Sequence, residues 1–256
     1  MARSATRDQR KWLLKQPDPE AESLIFCFPY AGVGASSYRG WPAMIGTSAP
    51  CALQPPGREN RFNEPPYESH ADFAADCGAL IAEQVEDRPF AFFAHCGGVP
   101  FALETVLWLA AHDRPLPTTL IASAWGPPHT DLYGHLNKID LDNHDLVTEI
   151  QQLQASMGFA DMPRELAGIG ARVLHQELVV HRPWRYDPQH RIPVPVISLA
   201  WSEDDTVPTA QAHDPAWREC GEVGFVRLPG DHMAFVGCPP ALADVLSTAV
   251  DHRVLT

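Results

Sequence analysis

The residue best placed to do chemistry is a cysteine between small neighbours. Cys96 stands in the sequence Ala-His-Cys-Gly-Gly of residues 94–98, after an apolar run and before a helical pattern. A sharp strand-to-helix turn with small flanks raises its middle side chain at the end of a sheet, because larger flanks would not fit the strained backbone. A helix N-terminus also favours a thiolate. The pattern predicts a nucleophile, and a structural cysteine at a tight turn fits this motif alone equally well.

An acid and a histidine follow the cysteine along the chain. His232 lies in Gly-Asp-His-Met of residues 230–233, on the loop after the last predicted strand, where a general base could reach the nucleophile. Asp204 and Asp205 follow another apolar strand, and an acid there could orient the imidazole. The order nucleophile, acid, histidine is that of α/β-hydrolases. The sequence does not separate the two aspartates. We prefer Asp204, four residues before Pro208, and an exposed turn is the alternative for both.

Backbone amides could complete this site. The loop Phe-Pro-Tyr-Ala-Gly of residues 28–32 follows an early strand and could offer an N–H to a developing oxyanion. The N–H of Gly97, directly after the cysteine, would be the second donor. The loop alone is a weak signal, but it supplies the role that the other motifs leave open.

Alternating strands and helices would position these residues. Short apolar runs alternate with longer amphipathic segments, which predicts a mostly parallel sheet with helices on both faces. Residues 126–187 interrupt this alternation with two helical patterns and no convincing strand. We interpret the segment as a helical lid over a pocket, with two ordinary packing helices as the alternative. Strands are predicted at 23–28, 51–53, 89–94, 119–123, 194–200 and 223–228, and helices at 70–87, 99–112, 142–156, 164–180 and 240–254.

Composition narrows the class of protein. The chain has 256 residues, of which 45% are hydrophobic and 20% charged, so it can bury a full core and is neither disordered nor a coiled coil. A net charge of -13 without a basic run disfavours binding to nucleic acid or to an anionic membrane. No apolar run is long enough to span a membrane, and residues 1–16 do not resemble a signal peptide. We therefore expect a cytoplasmic protein.

The six cysteines do not predict a metal site. None forms a Cys-x-x-Cys pair, and without a secretory signal free thiols are expected. The sequence also contains no glycine-rich phosphate loop and no spacing typical of metal ligands. We therefore predict neither a cofactor nor a metal.

Taken together, these motifs resemble the type II thioesterases, which are free-standing α/β-hydrolases serving polyketide synthases and nonribosomal peptide synthetases. The resemblance covers nearly the whole chain, and the combination of Pro-Tyr-Ala-Gly with Pro-Gly-Arg-Glu is specific. The matching stretches are Phe-Cys-Phe-Pro-Tyr-Ala-Gly at 26–32, Pro-Pro-Gly-Arg-Glu at 55–59, Arg61, Glu64-Pro65, the turn at Cys96, Gly-Asp-His-Met at 230–233, and Trp12-Leu13.

The resemblance implies a fold, an activity and a set of site residues. It implies one α/β-hydrolase domain over residues 1–256, with the lid at 126–187. It implies hydrolysis of acyl thioesters on the phosphopantetheine arm of an acyl carrier protein or a peptidyl carrier protein. The family's serine, aspartate and histidine correspond to Cys96, Asp204 and His232 here, and its oxyanion donors correspond to Ala31 and Gly97.

The sequence departs from the family at three places. Ala94 and Cys96 replace the glycine and serine of Gly-His-Ser-x-Gly, Leu-Val-Val-His at 178–181 stands where Arg-Ala-Asp is more common, and Trp201 replaces a glycine. A cysteine exchanges one thioester for another, so the acyl group stays activated and could pass to an amine, alcohol or carbanion as well as to water. An acyltransferase or cyclase is therefore the alternative function, and a non-catalytic carrier-protein binder is the second alternative.

Two groups of residues have less certain roles. Arg58, Glu59 and Arg61 could contact a carrier protein, although structural ion pairs are favoured. Four apolar residues could line an acyl pocket or simply pack in the core. These are Trp125, Met157, Phe159 and Trp184.

Overall fold

A six-stranded parallel sheet runs through the computed structural model, which describes residues 11–156 and 162–250. Helices cover both faces, and two further helices lie between the fourth and fifth strands. The strands are β1 (Ser23–Phe28), β2 (Ser48–Ala52), β3 (Phe90–His95), β4 (Leu120–Ser123), β5 (Val196–Trp201) and β6 (Val223–Leu228). The helices are α1 (His70–Gln84), α2 (Gly98–Ala111), α3 (Leu146–Ser156), α4 (Arg164–His181), α5 (Thr209–Ala212), α6 (Trp217–Cys220) and α7 (Pro240–Val250).

The strand order β2-β1-β3-β4-β5-β6 brings the loops of interest to one edge of the sheet. Strands β1, β3 and β5 are mostly apolar and are buried along their whole length, as expected for parallel strands covered by helices on both faces. Because β1 pairs in parallel with β3, with Phe28 opposite Ala94, the loop after β1 and the turn after β3 are neighbours. The order of the strands reverses between β1 and β3, and α/β proteins bind ligands at such a reversal.

The predicted strands and main helices are present, with shifted ends. Strand β2 begins at Ser48, three residues before the predicted start at Cys51, and the Ser48 hydroxyl bonds that of Ser23 at 2.7 Å. The one-turn helices α5 and α6 were not predicted, because four residues are too few to show a helical period. The predicted C-terminal helix is observed to Val250, and its last four residues, 251–254, lie outside the described residues.

The described part of the segment between β4 and β5 consists of helices joined by irregular loops. Its helices α3 and α4 pack on each other through an apolar cluster separate from the main core. A short 3-10 turn, His135–Asn137, precedes them, and no strand occurs in the described part of this segment. None of the helices within 11–156 and 162–250 has the length and apolar character needed to cross a membrane. The cluster consists of Leu146, Ile150, Ala167, Ala171, Leu174 and Leu178.

Candidate active site

Cys96 occupies a strained turn between β3 and α2. Its φ of +48° lies in the left-handed region, which non-glycine residues rarely adopt, and its N–H donates to the Ser123 carbonyl at 2.9 Å. A Cβ atom on Gly98 would lie only 2.9 Å from the Pro29 carbonyl oxygen, so a glycine is required there. This packing explains the small residues after the cysteine. The thiol is buried except for a small fraction that faces a cavity.

Asp204 and His232 meet at the same edge of the sheet. His232 Nδ1 lies 2.8 Å from Asp204 Oδ2, and the Asp204 side chain is fully buried. The second oxygen, Oδ1, accepts N–H groups of Thr206 and Val207 at 2.8 Å each, so the carboxylate has a fixed orientation. Asp205, the sequence alternative, is exposed to solvent. The geometry therefore separates the two aspartates that the sequence left open.

The environment of His232 favours a charged imidazole. Burial lowers its pKa, but the hydrogen bond with Asp204 and the charges of Cys96 and Asp204 more than offset that effect and raise it to about 10. Nε2 is buried and has no hydrogen-bond partner among the described residues, and His232 and Cys96 line the same cavity. The arrangement can hold a thiolate beside an imidazolium, as in other cysteine nucleophiles paired with histidine.

His95, the residue before the nucleophile, supports the His232 ring. It stacks on Phe235 with ring centroids 4.1 Å apart, and its centroid lies 4.6 Å from that of His232. Ser123 Oγ bonds His95 Nδ1 at 2.9 Å and accepts the Trp201 indole N–H at 3.0 Å. Burial, together with the nearby His232, holds the pKa of His95 well below its usual value, so this ring is neutral. The indole N–H of Trp201 is therefore hydrogen-bonded to the last residue of β4.

The two residues whose amides are predicted to bind an oxyanion are neighbours in the structure. A Cβ on Gly97 would be 3.2 Å from Ala31 Cβ, and both residues line the cavity beside Cys96. In the part of the chain that the structure describes, neither the Ala31 N–H nor the Gly97 N–H donates to a protein acceptor. Two free N–H groups beside a nucleophile can stabilise the negative oxygen of a tetrahedral intermediate.

A buried ion pair fixes the loop that carries Ala31. Arg58 and Glu177 of α4 approach to 2.5 Å, and Arg58 donates to the carbonyls of Tyr30 and Val33 at 3.2 and 2.7 Å. Glu177 accepts the Gly32 N–H at 2.8 Å. Burial raises the pKa of Glu177, against the opposing effects of the Arg58 charge and the Gly32 hydrogen bond. The pair therefore joins α4 to the loop after β1, and Arg58 is too buried to touch another protein.

The sequence matches a family of known chemistry. The thioesterase domain family model matches residues 24–249. The chain belongs to this thioesterase family. It is therefore an acyl-thioester hydrolase of α/β-hydrolase fold, and the resemblance inferred from the sequence is confirmed.

Individual relatives of the thioesterase agree over most of its length. The Brevibacillus parabrevis protein named linear gramicidin dehydrogenase LgrE is 28% identical over 87% of this chain and 86% of that protein. The gramicidin S biosynthesis protein GrsT of Aneurinibacillus migulanus is 26% identical over 87% of each chain. Among solved structures, the RedJ thioesterase of the prodiginine biosynthetic pathway in Streptomyces coelicolor superposes with a TM-score of 0.73. It is 26% identical, and the match covers 93% of this chain and 88% of that chain.

The loop of the thioesterase that carries Arg58, Glu59 and Arg61 has a structural role. Arg61 forms a salt bridge with Glu64 at 2.6 Å and donates to the Gln54 carbonyl at 2.8 Å, while its own side chain is almost fully buried. Glu59 accepts the Gly34 N–H at 2.9 Å and the Ser36 hydroxyl. The structure thus favours the structural interpretation of this loop over contact with a carrier protein.

The cavity of the thioesterase has a volume of about 240 Å³ and extends from Cys96 beneath the helices of the inserted segment. Trp125 is fully buried, and Trp184 donates its indole N–H to Glu104 at 2.8 Å; neither lines the cavity, so both are packing residues. Met157 and Phe159, the other proposed pocket residues, lie outside the described residues. The apolar lining comes from Tyr133, Leu136, Leu153, Leu174, Leu178 and Met233.

Sequence reasoning missed two histidines at this site. His70 and His181, the last residue of α4, are buried and hydrogen-bonded to each other, and His181 also lines the cavity. The signal available in the sequence was the departure from the family pattern at residues 178–181, which ends at this histidine. Over residues 11–156 and 162–250, no group of three or more histidine, cysteine or acidic side chains could hold a metal ion.

Proposed function

We propose that the thioesterase acts through a covalent acyl intermediate on Cys96. The bond of His232 to Asp204, in the same cavity as Cys96 at the carboxyl edge of the sheet, carries this proposal. The Cys96 thiolate attacks the thioester carbonyl carbon and forms a new carbon–sulfur bond. The carbonyl oxygen becomes an oxyanion, which the N–H groups of Ala31 and Gly97 stabilise.

Collapse of this intermediate releases the carrier thiol. The bond to the pantetheine sulfur breaks, and the leaving thiolate takes the proton held by His232 Nε2. Water then attacks the acyl-Cys96 carbonyl while Nε2 accepts its proton, and the bond to Cys96 breaks to give the free acid. Asp204 bonds Nδ1 throughout, so the ring keeps the orientation and tautomer that both proton transfers require.

The proposed substrate is an acyl group on the phosphopantetheine arm of an acyl or peptidyl carrier protein. Two relatives carry names from gramicidin biosynthesis, and the RedJ structure comes from a prodiginine pathway. The apolar wall formed by Leu136, Leu153 and Leu174 suits an acyl chain. We also propose that the reaction takes place in the cytoplasm, and cell fractionation can test this location. In the domain arrangement proposed here, residues 126–187 are the lid of a single catalytic domain.

The thiol at residue 96 supports transfer to another acceptor as a second candidate function. Because acyl-Cys96 is itself a thioester, exchange with the carrier is nearly isoenergetic and the acyl group stays reactive. An amine, alcohol or carbanion that enters the cavity could compete with water. A non-catalytic binding role is less well supported, because the positions of the acid and the histidine are both filled at hydrogen-bonding distance.

Intact mass spectrometry after mixing with acyl-pantetheine thioesters and acylated carrier protein tests these alternatives. We expect a mass increase of one acyl group, located at Cys96 by peptide mapping, followed by its loss as free acid. Cys96→Ala should acquire no acyl group, and Cys96→Ser serves as the matched control that keeps the nucleophile's position. A stable acyl-enzyme discharged only by added amine would favour the transferase. Absence of both acyl-enzyme and free acid would contradict the proposal.

A further inference from the structure

Two neutral histidines lie buried between the inserted helices and the main sheet. His181, the last residue of α4, places Nδ1 at 2.9 Å from Nε2 of His70, the first residue of α1. His181 is fully buried, and its second ring nitrogen, Nε2, has no hydrogen-bond partner among the described residues. A buried polar atom without a partner is costly, so its persistence calls for a functional explanation.

The unpartnered nitrogen lies next to Gly97, one of the two residues whose amides are assigned to the oxyanion. A Cβ on Gly97 would be 3.4 Å from His181 Nε2 and 3.2 Å from Ala31 Cβ. Gly97, Ala31 and the ring of His181 are therefore neighbours. All three residues line the cavity that contains Cys96.

The surroundings of His181 and His70 keep both imidazole rings neutral. Burial lowers the pKa of His181 to about 3, and the Arg58 charge acts in the same direction. Burial likewise lowers the pKa of His70 to about 2, so both rings are neutral. The His70 bond occupies Nδ1 of His181, so in the tautomer in which His70 donates its Nε2–H, the proton of the neutral His181 ring lies on Nε2.

We propose that His181 is a catalytic residue that donates its Nε2–H to the thioester oxygen, as a third oxyanion donor beside the amides of Ala31 and Gly97. His70 is the positioning residue that holds this tautomer through its bond to Nδ1. A neutral imidazole N–H can stabilise a developing oxyanion, and such a weakly basic ring is a poor general base. The inference rests on the proposed acylation of Cys96.

Acylation and alkylation of Cys96 together test this role. Alkylation by iodoacetamide needs the thiolate and forms no oxyanion, whereas acylation by a thioester needs both. His181→Phe keeps a ring and removes the N–H. We expect it to slow acylation about 10²-fold, the usual effect of losing one oxyanion donor, and to leave the alkylation rate unchanged. His181→Gln, whose amide N–H can occupy a similar position, should recover part of the acylation rate.

A vibrational measurement reads the same hydrogen bond directly. With a ¹³C-labelled acyl group on Cys96, the carbonyl stretch of the acyl-enzyme should move to higher frequency in His181→Phe, because a donor has been removed. His70→Phe should slow acylation as well, and adding it to His181→Phe should cause no further loss, since it acts through the same N–H. Thermal unfolding of each variant shows whether the fold is intact.

The outcomes separate this inference from the proposed function. If the unmodified enzyme neither acquires an acyl group at Cys96 nor releases free acid, both are wrong. If it does, but a folded His181→Phe variant is acylated as fast and shows the same carbonyl frequency, only the role of His181 is wrong. Equal losses in acylation and alkylation would also overturn it, because they would place the effect on the thiolate.

Discussion

Arg58 and Glu177 form a buried ion pair that ties helix α4 to the loop after β1, although the two residues are 119 positions apart in the chain. Both also bond backbone groups of that loop, at Tyr30, Val33 and Gly32. The position of the proposed oxyanion donor at Ala31 thus depends on a contact made by the inserted helices.

Removal of one partner of this pair should be costly. We expect Glu177→Ala to lower the free energy of unfolding by about 3–5 kcal/mol, because Arg58 would be left as an uncompensated buried charge. Denaturant unfolding of Glu177→Ala, of Arg58→Ala and of the variant with both changes measures the coupling free energy between the two charges. The double variant should be much more stable than the sum of the single losses indicates. Strict additivity would show that the two charges do not stabilise each other.

The ring of His232 should be doubly protonated at neutral pH. Its pKa is raised above the ordinary value to about 10, so the charged form persists from acidic pH until the solution approaches pH 10. Nitrogen NMR of labelled histidine follows this titration. Cys96→Ala and Asp204→Asn should each lower the midpoint, because each removes a negative charge that stabilises the imidazolium. A midpoint at or below 6.5 in the unmodified enzyme would contradict the thiolate–imidazolium pair.

Acid should destabilise the thioesterase through His70 and His181. Their pKa values in the folded state, about 2 and 3, lie below the ordinary 6.5. The unfolded chain therefore binds protons that the folded one does not. Stability is unaffected above pH 6.5 and falls as the pH decreases from 6.5 toward 3, by about 1.4 kcal/mol per pH unit for each residue.

The matched comparison is the double variant His70→Phe with His181→Phe. Denaturant unfolding between pH 6 and pH 4 should give a slope smaller than that of the unmodified protein by about 2–3 kcal/mol per pH unit. Other buried histidines contribute equally to both proteins. Identical slopes would mean that the pair is not held neutral.

Gly32 should not tolerate a side chain. Its φ is +77°, and a Cβ would lie 3.1 Å from Ile150 Cδ1 and 3.3 Å from Leu174 Cβ on the inserted helices. We expect Gly32→Ala to cost about 1–2 kcal/mol of stability and to slow acylation of Cys96, because the loop and α4 must separate. Chemical unfolding and acylation kinetics measure the two effects.

Gly168, within α4, provides the control. A Cβ there meets no atom within 4 Å, so Gly168→Ala should raise stability by about 0.5–1 kcal/mol through helix propensity, and acylation should be unchanged. If both alanine variants behave alike, the close contact at Gly32 is unimportant.

The strands, the main helices and the turn at Cys96 could be predicted from local sequence patterns. Apolar runs and helical periods predicted the strands and main helices, and the small neighbours of Cys96 predicted the strained turn, because each signal lies within a few residues. The loop position of His232 after the last strand was readable for the same reason. The order of nucleophile, acid and histidine then indicated the α/β-hydrolase fold.

Contacts between residues that are distant in the chain could not be predicted in this way and became known from the fold. It brought Asp204, and not Asp205, to His232, paired Arg58 with Glu177, and placed His181 beside Gly97. No periodicity links residues so far apart in the chain. Their contact depends on how the inserted helices pack on the edge of the sheet, and that packing is set by side-chain shape and burial across the whole fold.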